Sequence, residues 1–396
     1  MAMIWAGIDA GKTHHHCVAI DESGRRLLSR RIANDEPELL ELLADVLALG
    51  DEVTWGIDLA DGGAALAITI LFNHEQSVHY IFGRAIHRAS ESYRGEGKTD
   101  AKDAAVIADH VRIRRDLHPL RTSDETVTDL KIPTDRRTDL VADRTHTVNR
   151  LRARLTDIFP GLERALDLTN TGPLILLTGY QTPASLRRTG KKRLEAWLRN
   201  RKVLRADRLS EAALEAAGHQ HTSLPGERLT AQMVHTLARE VMALNQQVTE
   251  LDKAIEARFR EHRDFEVITS MPGLGVILGA EFLAATGGDM TAFGTADRLA
   301  GFGGVAPVPR DSGKISGNLR RPRRYNRRLQ RVFYISALFS IRHCDESRRF
   351  YERKRAEGKR HVQAVLALAR RRVNVLWALL RDGRTYELMP PTALAA

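Results

Sequence analysis

Near the start of the chain, apolar and polar positions alternate with the period of a β-strand, and further on they recur every three to four residues, as in helices. IWAGIDA (from Ile4) and HHHCVAID (from His14) surround a glycine-containing turn, and DESG turns the chain again before RRLLSRRI, which predicts successive hairpin strands. PELLELLADVLA carries apolar residues at helical spacing from Leu39. VTWGID is a short β-rich run that ends in Asp58. GGAALAITILFNH reads as a buried helix, VHYIF as a strand, and DAKDAAVIADHVRIRRD, rich in alanine, as a helix. The first 115 or so residues are therefore expected to be α/β.

The texture changes near residue 120. In VADRTHTVNRLRARLTDIF, Val141, Val148, Leu151, Leu155 and Ile158 fall near heptad positions until Pro160 stops the run. Val234, Leu237, Val241, Leu244, Val248, Leu251 and Ile255 form a cleaner seam, alternating steps of three and four. Two such helices fit an antiparallel helical arm, a dimerising coiled coil, or two ordinary amphipathic helices on a core, and pattern alone does not choose. SMPGLGVILGAEFLAATGG then opens a helix after Pro272 and Gly273, and a glycine-rich stretch, GFGGVAPVPRDSGKISG, precedes arginine-rich helices. No solenoid-type repeat is present. The expected division is an α/β domain over 1–120, a helical or coiled-coil region over 121–264, and a mainly helical domain over 265–396.

Composition narrows the class. The chain has 396 residues, 43% of them apolar, enough for real cores. Two cysteines, Cys17 and Cys344, exclude a disulfide framework and a four-cysteine zinc site and fit a reducing compartment. MAMIWAGIDA has no charged n-region, and no run of about 18 apolar residues exists, so a soluble cytoplasmic protein with no membrane partner is expected. Net charge is +11 but unevenly placed. Arg310 to Arg384 hold 22 Lys or Arg against 6 Asp or Glu, net +16, which leaves the rest of the chain at 39 against 44, net −5. NLRRPRRYNRRLQR would repel itself unless it met phosphate. Lys314, Arg320, Arg321, Arg323, Arg324, Arg327 and Arg328 are accordingly the candidate nucleic-acid contacts.

The candidate chemistry is carboxylate chemistry. GIDAGKT is not a P-loop, since Gly7 and Gly11 enclose three residues where that loop needs four, and RGEGKTD has Ser92 where the first loop glycine would stand. Asp9 instead ends a hydrophobic strand, as a metal-dependent nuclease of the ribonuclease H type requires of a carboxylate facing a hard cation. Asp58 ends VTWGID, with Asp61 its rival in the turn that follows. Asp100 and Asp103 lie three apart on one helix face, although a plain capping role also explains Asp100. Together the four could hold two Mg²⁺ ions. His14, His15 and His16 are consecutive on a strand, point to alternate faces, and read as ordinary strand residues. PGLG places Gly273 and Gly275 where a helix-hairpin-helix would offer backbone N–H groups to phosphate, or where a plain glycine turn would sit. Ser312 lies in PRDSGKISG with no identifiable triad partner and reads, by itself, as a turn residue.

These strings in this order, GIDAGK, WGID, RGEGKTDAKDAAVIAD, SMPGLG and GFGGVAPVPRDSGK, resemble the DEDD-type insertion-sequence transposases of the IS110 family over nearly the whole chain. The resemblance implies a RuvC-like, ribonuclease H-like N-terminal domain, a coiled-coil linker, and a C-terminal transposase domain, in which the PGLG reading places a helix-hairpin-helix-like motif. It implies that Asp9, Asp58, Asp100 and Asp103 bind Mg²⁺ (or Mn²⁺ in its place), and that Ser312 is a nucleophile forming a phosphoserine link to DNA. It also implies donor and target DNA as partners, a structured noncoding guide RNA, and a homo-oligomer, a dimer or dimer of dimers. The second tetrad position is often Glu in the family, and Asp58 departs from that, which leaves Asp61 in contention; Ser316 is the rival of Ser312.

Three other functions fit parts of the pattern. A resolvase or nuclease would use water in place of Ser312. A non-catalytic nucleic-acid-binding protein would use its carboxylates only as caps. An actin-like ATPase would share GIDAGKT but leave the +16 segment without a task.

Overall fold

A computed structural model describes residues 3–59, 62–81, 83–90, 93, 99–114, 117, 119–120, 125–309, 311–313 and 316–387. The sequence candidates Asp61 and Lys314 lie outside these described residues. The chain divides into two compact units, Met1–Thr122 and Ser123–Ala396.

The first unit is built on a mixed sheet of β1 (Met3–Ala10), β2 (His14–Ile20), β3 (Arg26–Ala33), β4 (Glu52–Ile57) and β5 (Ser77–Tyr80), ordered β3-β2-β1-β4-β5. The first three strands run antiparallel as hairpins, while β4 and β5 join parallel to β1. The parallel joins require crossovers, supplied by α1 (Glu36–Leu47) and α2 (Ala65–Asn73). Asp35 caps α1 by accepting from the Glu38 N–H. One sheet face, with Ile4, Ala6, Ile8, Val53, Trp55 and Ile57, packs with Leu39, Leu42 and Val46 of α1 and Ile68 and Leu71 of α2 in one core. After α3 (Gly83–Ser90), the helix α4 (Asp100–Ile113) takes the other face, where Ala104 and Ala108 cluster with Val18 and Ile20 of β2.

The second unit is helical apart from a short ribbon. Its long members are α5 (Glu125–Ile158) and, after α6 (Pro160–Ala165), α7 (Thr171–Gly179), α8 (Pro183–Asn200) and α9 (Ala206–Gly218), the equally long α10 (Glu227–Arg260). Contacts between the two long helices run in opposite directions: Asp129 pairs with Arg258 at 2.8 Å, Arg137 with Asp252, and Arg144 reaches Asn245 at 3.4 Å. The heptad helices therefore pair antiparallel within one chain. On α10, Val234, Val241, Val248 and Ile255 are buried, while Leu237, Leu244 and Leu251 are half-buried. The helix α5 starts well before the heptads predict it and runs through Pro133. A helix-interior proline costs about 3 kcal/mol. Val127 and Leu130, buried within the two preceding turns at roughly 1.5–3 kcal/mol each, offset that cost.

Two apolar cores divide this unit. The distal ends of α5 and α10 share one with α6–α9, through Leu155, Leu162, Leu177, Leu198, Ala217 and Val234. The proximal ends, through Val127, Leu130, Ile255 and Phe259, join the C-terminal core instead. That core also holds α11 (Phe265–Ser270), α12 (Val276–Thr286), α13 (Ala296–Phe302), α14 (Arg327–His343) and α16 (His361–Asp382), with α15 (Asp345–Ala356) beside it. A two-residue ribbon, β6 (Val308–Pro309) with β7 (Leu319–Arg320), separates α13 from α14. Among the described residues, no helix is long and apolar enough to cross a membrane.

Candidate active site and nucleic-acid interface

The first unit repeats one tripeptide on neighbouring strands: Gly7-Ile8-Asp9 on β1, and Gly56-Ile57-Asp58 at the end of β4. The register sets Gly7 beside Gly56 and Ile8 beside Ile57. Because side chains alternate, each Ile enters the α1/α2 core, while the Gly and Asp positions belong to the α4 face. The glycines are what let α4 lie there. A Cβ on Gly7 would stand 2.3 Å from the Ala104 carbonyl oxygen and 2.4 Å from the Ala108 nitrogen, and one on Gly56 would stand 2.5 Å from Val111. Thr99 caps α4 by accepting from the Lys102 N–H at 3.2 Å, so the cap is not Asp100.

Asp9, Asp58 and Asp103 are half-buried and Asp100 is exposed. The Asp58 carboxylate accepts from the Ala10 N–H at 3.0 Å, which holds it across the end of β1. Burial pushes the Asp58 carboxyl above its usual range, against the Ala10 hydrogen bond, and the negative charge of Asp103 adds to the rise. Asp100 reaches the same strand ends electrostatically: burial lowers the His16 pKa and the Asp100 charge opposes it, and His16 is the β2 partner of Asp9. Among the described residues, no three His, Cys, Asp or Glu side chains already converge on one point as a ready cation cage. What sheet and helix bring together are four carboxylate attachment points. Hard oxygen donors, one destabilised by burial and a like charge, are the donor set that a divalent cation relieves, so the residues fit such an ion.

Sequence reasoning passed over His15. It is 1% exposed, opposite Ala10 in the register, and neither ring nitrogen has a hydrogen-bond partner. Burial lowers its pKa; nearby Asn34 and Asp58 oppose the shift without closing a well-formed bond to the ring. His14 is exposed, and His16 meets the Ser29 hydroxyl at 3.0 Å. The signal that could have found His15 is strand alternation, which puts it on the same face as buried Cys17 and Ala19.

In the second unit, β6 and β7 close a loop that carries Ser312 and Ser316, both exposed, and Asp311 braces it by accepting from the Asn318 N–H at 2.9 Å. Arg320, Arg323, Arg324 and Arg327 are exposed. Arg321 is engaged by the Tyr325 hydroxyl at 2.9 Å and by Gln330, and Arg328 pairs with Asp135 of α5. The PGLG turn precedes α12, and Gly275 stands at its N-cap. Gly273, at φ +78°, has a further reason to be glycine: a Cβ there would lie 2.6 Å from the Ser336 carbonyl oxygen of α14.

Carboxylates gathered at strand ends and one helix, on a chain whose other unit concentrates basic charge, define an enzyme that works on nucleic acid. Comparison with known proteins makes this specific. A family model described as a transposase, of the DEDD type of IS110, matches residues 6–160, and one described as a transposase of the IS116/IS110/IS902 family matches 265–352. An uncharacterized 42 kDa protein of insertion element IS900 from Mycobacterium paratuberculosis is 58% identical over 99% of both chains. The 44.8 kDa protein of IS116 from Streptomyces clavuligerus is 49% identical over 99% of this chain and 98% of its own. The mini-circle putative transposase for IS117 from Streptomyces coelicolor is 28% identical over 97% and 95%. The chain belongs to the IS110/IS116/IS902 family of insertion-sequence transposases, enzymes of DNA transposition and recombination.

Proposed function

We propose that this transposase cuts and rejoins DNA through a serine–phosphate intermediate, with Asp9, Asp58, Asp100 and Asp103 holding Mg²⁺ in a ribonuclease H-like, RuvC-like first unit. The observation that carries the reading is the paired Gly-Ile-Asp register, which sets two acids side by side under a helix bearing two more. Bound there, Mg²⁺ would supply Lewis-acid polarisation of a phosphate oxygen. The chain's own residues do the rest. The Ala10 N–H fixes the Asp58 carboxylate, and α4 fixes Asp103. Ser312 attacks the scissile phosphorus through its hydroxyl oxygen; a new P–O bond forms, the P–O bond to one DNA end breaks, and that end leaves as a hydroxyl. Reversal onto a different DNA hydroxyl rejoins the strands and frees the serine. Arg320, Arg323, Arg324 and Arg327, exposed beside the serine loop, offset phosphate charge.

The three-part division at 120/121 and 264/265, the helix-hairpin-helix role of Gly273 and Gly275, the structured noncoding guide RNA, and assembly as a dimer or dimer of dimers belong to the same reading. The division and the hairpin role rest on the sequence pattern, the guide RNA and the assembly on the family resemblance. Guide pairing would place target choice in base pairing rather than in side chains. The test is a covalent trap with radiolabelled element-end DNA, Mg²⁺ and the element's RNA. A protein–DNA adduct lost in Ser312→Ala and in Asp9→Asn is expected. Strand cleavage that survives Ser312→Ala would refute the serine and favour water as nucleophile.

A further inference from the structure

Residues 161–264, which hold α7, α8 and α9, lie outside both family matches. Within them, Arg187 to Arg208 carry ten Lys or Arg against two Asp or Glu, net +8, a second cationic stretch in the part of the chain that is acidic on balance. Some of that charge is engaged internally. Arg187 donates to the Ala217 and Gln220 carbonyls, Arg199 pairs with Glu195, and Lys191 meets Glu211 at 3.5 Å. What is left stands at the turn from α8 to α9. Lys202, Arg205 and Arg208 are exposed, and among the described residues no carboxylate pairs with them. Arg201, also exposed, stacks over the Trp197 ring at 3.8 Å from its centroid, and Asp207 is the one acid between 201 and 208.

Among these cations stands Leu204, 90% exposed. A lone exposed leucine is ordinary, but this one is held out by the turn itself. Its neighbour Val203 is buried in the distal core. The Arg201 and Val203 N–H groups donate to the Leu198 carbonyl at 3.0 and 3.1 Å, and the Lys202 N–H donates to the Arg199 carbonyl at 2.9 Å. Lys202 and Arg205 take left-handed φ angles of +59° and +54°, a conformation that residues with side chains seldom adopt and that the surrounding contacts must hold. The turn is thus a fixed platform that presents one apolar side chain within a ring of positive charge.

We infer that the α8–α9 turn is a further duplex-DNA contact, in which Lys202, Arg205 and Arg208 meet backbone phosphates and Leu204 enters a base step from the minor groove as a wedge that bends the duplex. The cations match the polyanion, and an apolar side chain flanked by basic ones is the means by which proteins unstack a step and kink DNA. Duplex RNA fits the turn less well, because its wide, shallow minor groove is recognised through 2′-hydroxyls and phosphates rather than by a wedge. A second copy of the chain also fits less well, since a two-fold contact there would set these cations against one another. The inference rests on the family's DNA transposition and needs neither Ser312 nor the carboxylates of the first unit.

Binding and bending by the full chain are measured with a fluorescent element-end DNA duplex and with a duplex RNA of equal length. Strand transfer is not the readout, so failure of Ser312 as nucleophile leaves this test intact. Lys202→Asn with Arg205→Asn and Arg208→Ala should flatten the salt slope for DNA by about 2 to 3. Asparagine accepts the left-handed backbone at the first two positions, so the turn survives the change. Leu204→Ser removes no buried contact; it should leave the salt slope unchanged and straighten the duplex, read as a fall in energy transfer between dyes on the two DNA ends. Leu204→Phe should restore the bend. An unchanged DNA slope in the triple variant, a bend that persists in Leu204→Ser, or a slope change confined to RNA would overturn the inference. So would a Leu204→Ser chain whose oligomer dissociates in light scattering, which would assign the turn to a second copy.

Discussion

Asp58 answers to two opposing demands. In the metal-free protein its carboxyl is raised by burial and by Asp103, so ionising it costs more in the folded chain than in the unfolded one. The sign follows from linkage: this contribution to stability is fully present below the unfolded carboxylate pKa of about 4 and is lost as pH rises through the higher folded value. Asp58→Asn removes that loss while keeping an acceptor for the Ala10 N–H. We expect the variant to melt at a higher temperature than the parent at pH 7 without metal, and to lose at least about a hundredfold in strand transfer. Added Mg²⁺ should raise the melting temperature of the parent and raise that of Asp58→Asn much less. Calorimetry with and without Mg²⁺ checks both. An unchanged metal response in Asp58→Asn would remove Asp58 from the ligand set. Strand ends made Asp9 and Asp58 legible as candidates; the pKa rise was not, because it depends on Asp103, 45 residues away in sequence and near only after folding.

At the scale of elements, the site is held by how closely α4 lies on β1 and β4. Gly7→Ala puts a methyl against main-chain atoms of Ala104 and Ala108, which cannot rotate away, so we expect destabilisation of about 1–3 kcal/mol or more. Strand transfer should fall although every carboxylate remains, and denaturant unfolding beside the transposition assay measures the two losses. A Gly7→Ala chain of parental stability and activity would show that the close approach is dispensable. The seam from Val234 to Ile255 was readable as a helix, yet its partner was not. Antiparallel pairing with α5 rests on Asp129–Arg258 and Arg137–Asp252, contacts between residues more than a hundred positions apart. The start of α5 was unreadable for a different reason: Pro133 is a local stop signal, and the burial of Val127 and Leu130 that overrides it is tertiary.

For the molecule as a whole, the uneven charge predicts how binding answers to salt. Each phosphate neutralised by a side chain steepens the dependence of log K on log salt by about 0.9. Replacing exposed Arg323 and Arg324 by Ala should flatten the slope by about 2 for duplex DNA, whereas Arg328→Ala should leave it nearly unchanged, since Asp135 already occupies that guanidinium. Titration of fluorescent DNA between low and moderate salt separates the two, and equal slopes in all three proteins would discard Arg323 and Arg324 as phosphate contacts. By itself the sequence determined the α/β beginning, the helical remainder, the strand-end acids and the basic C-terminal segment. Those are properties of local periodicity, turn chemistry and charge count, carried by neighbouring residues. Only the tertiary structure decided that the two Gly-Ile-Asp strands lie in register, that Thr99 rather than Asp100 caps α4, that Arg328 is already paired, and that Arg372 is buried with the Pro272 carbonyl and the Ser336 hydroxyl as its acceptors. Each is a relation between distant segments, and short-range hydrogen bonds, like-charge repulsion and burial act only once folding has closed the distance.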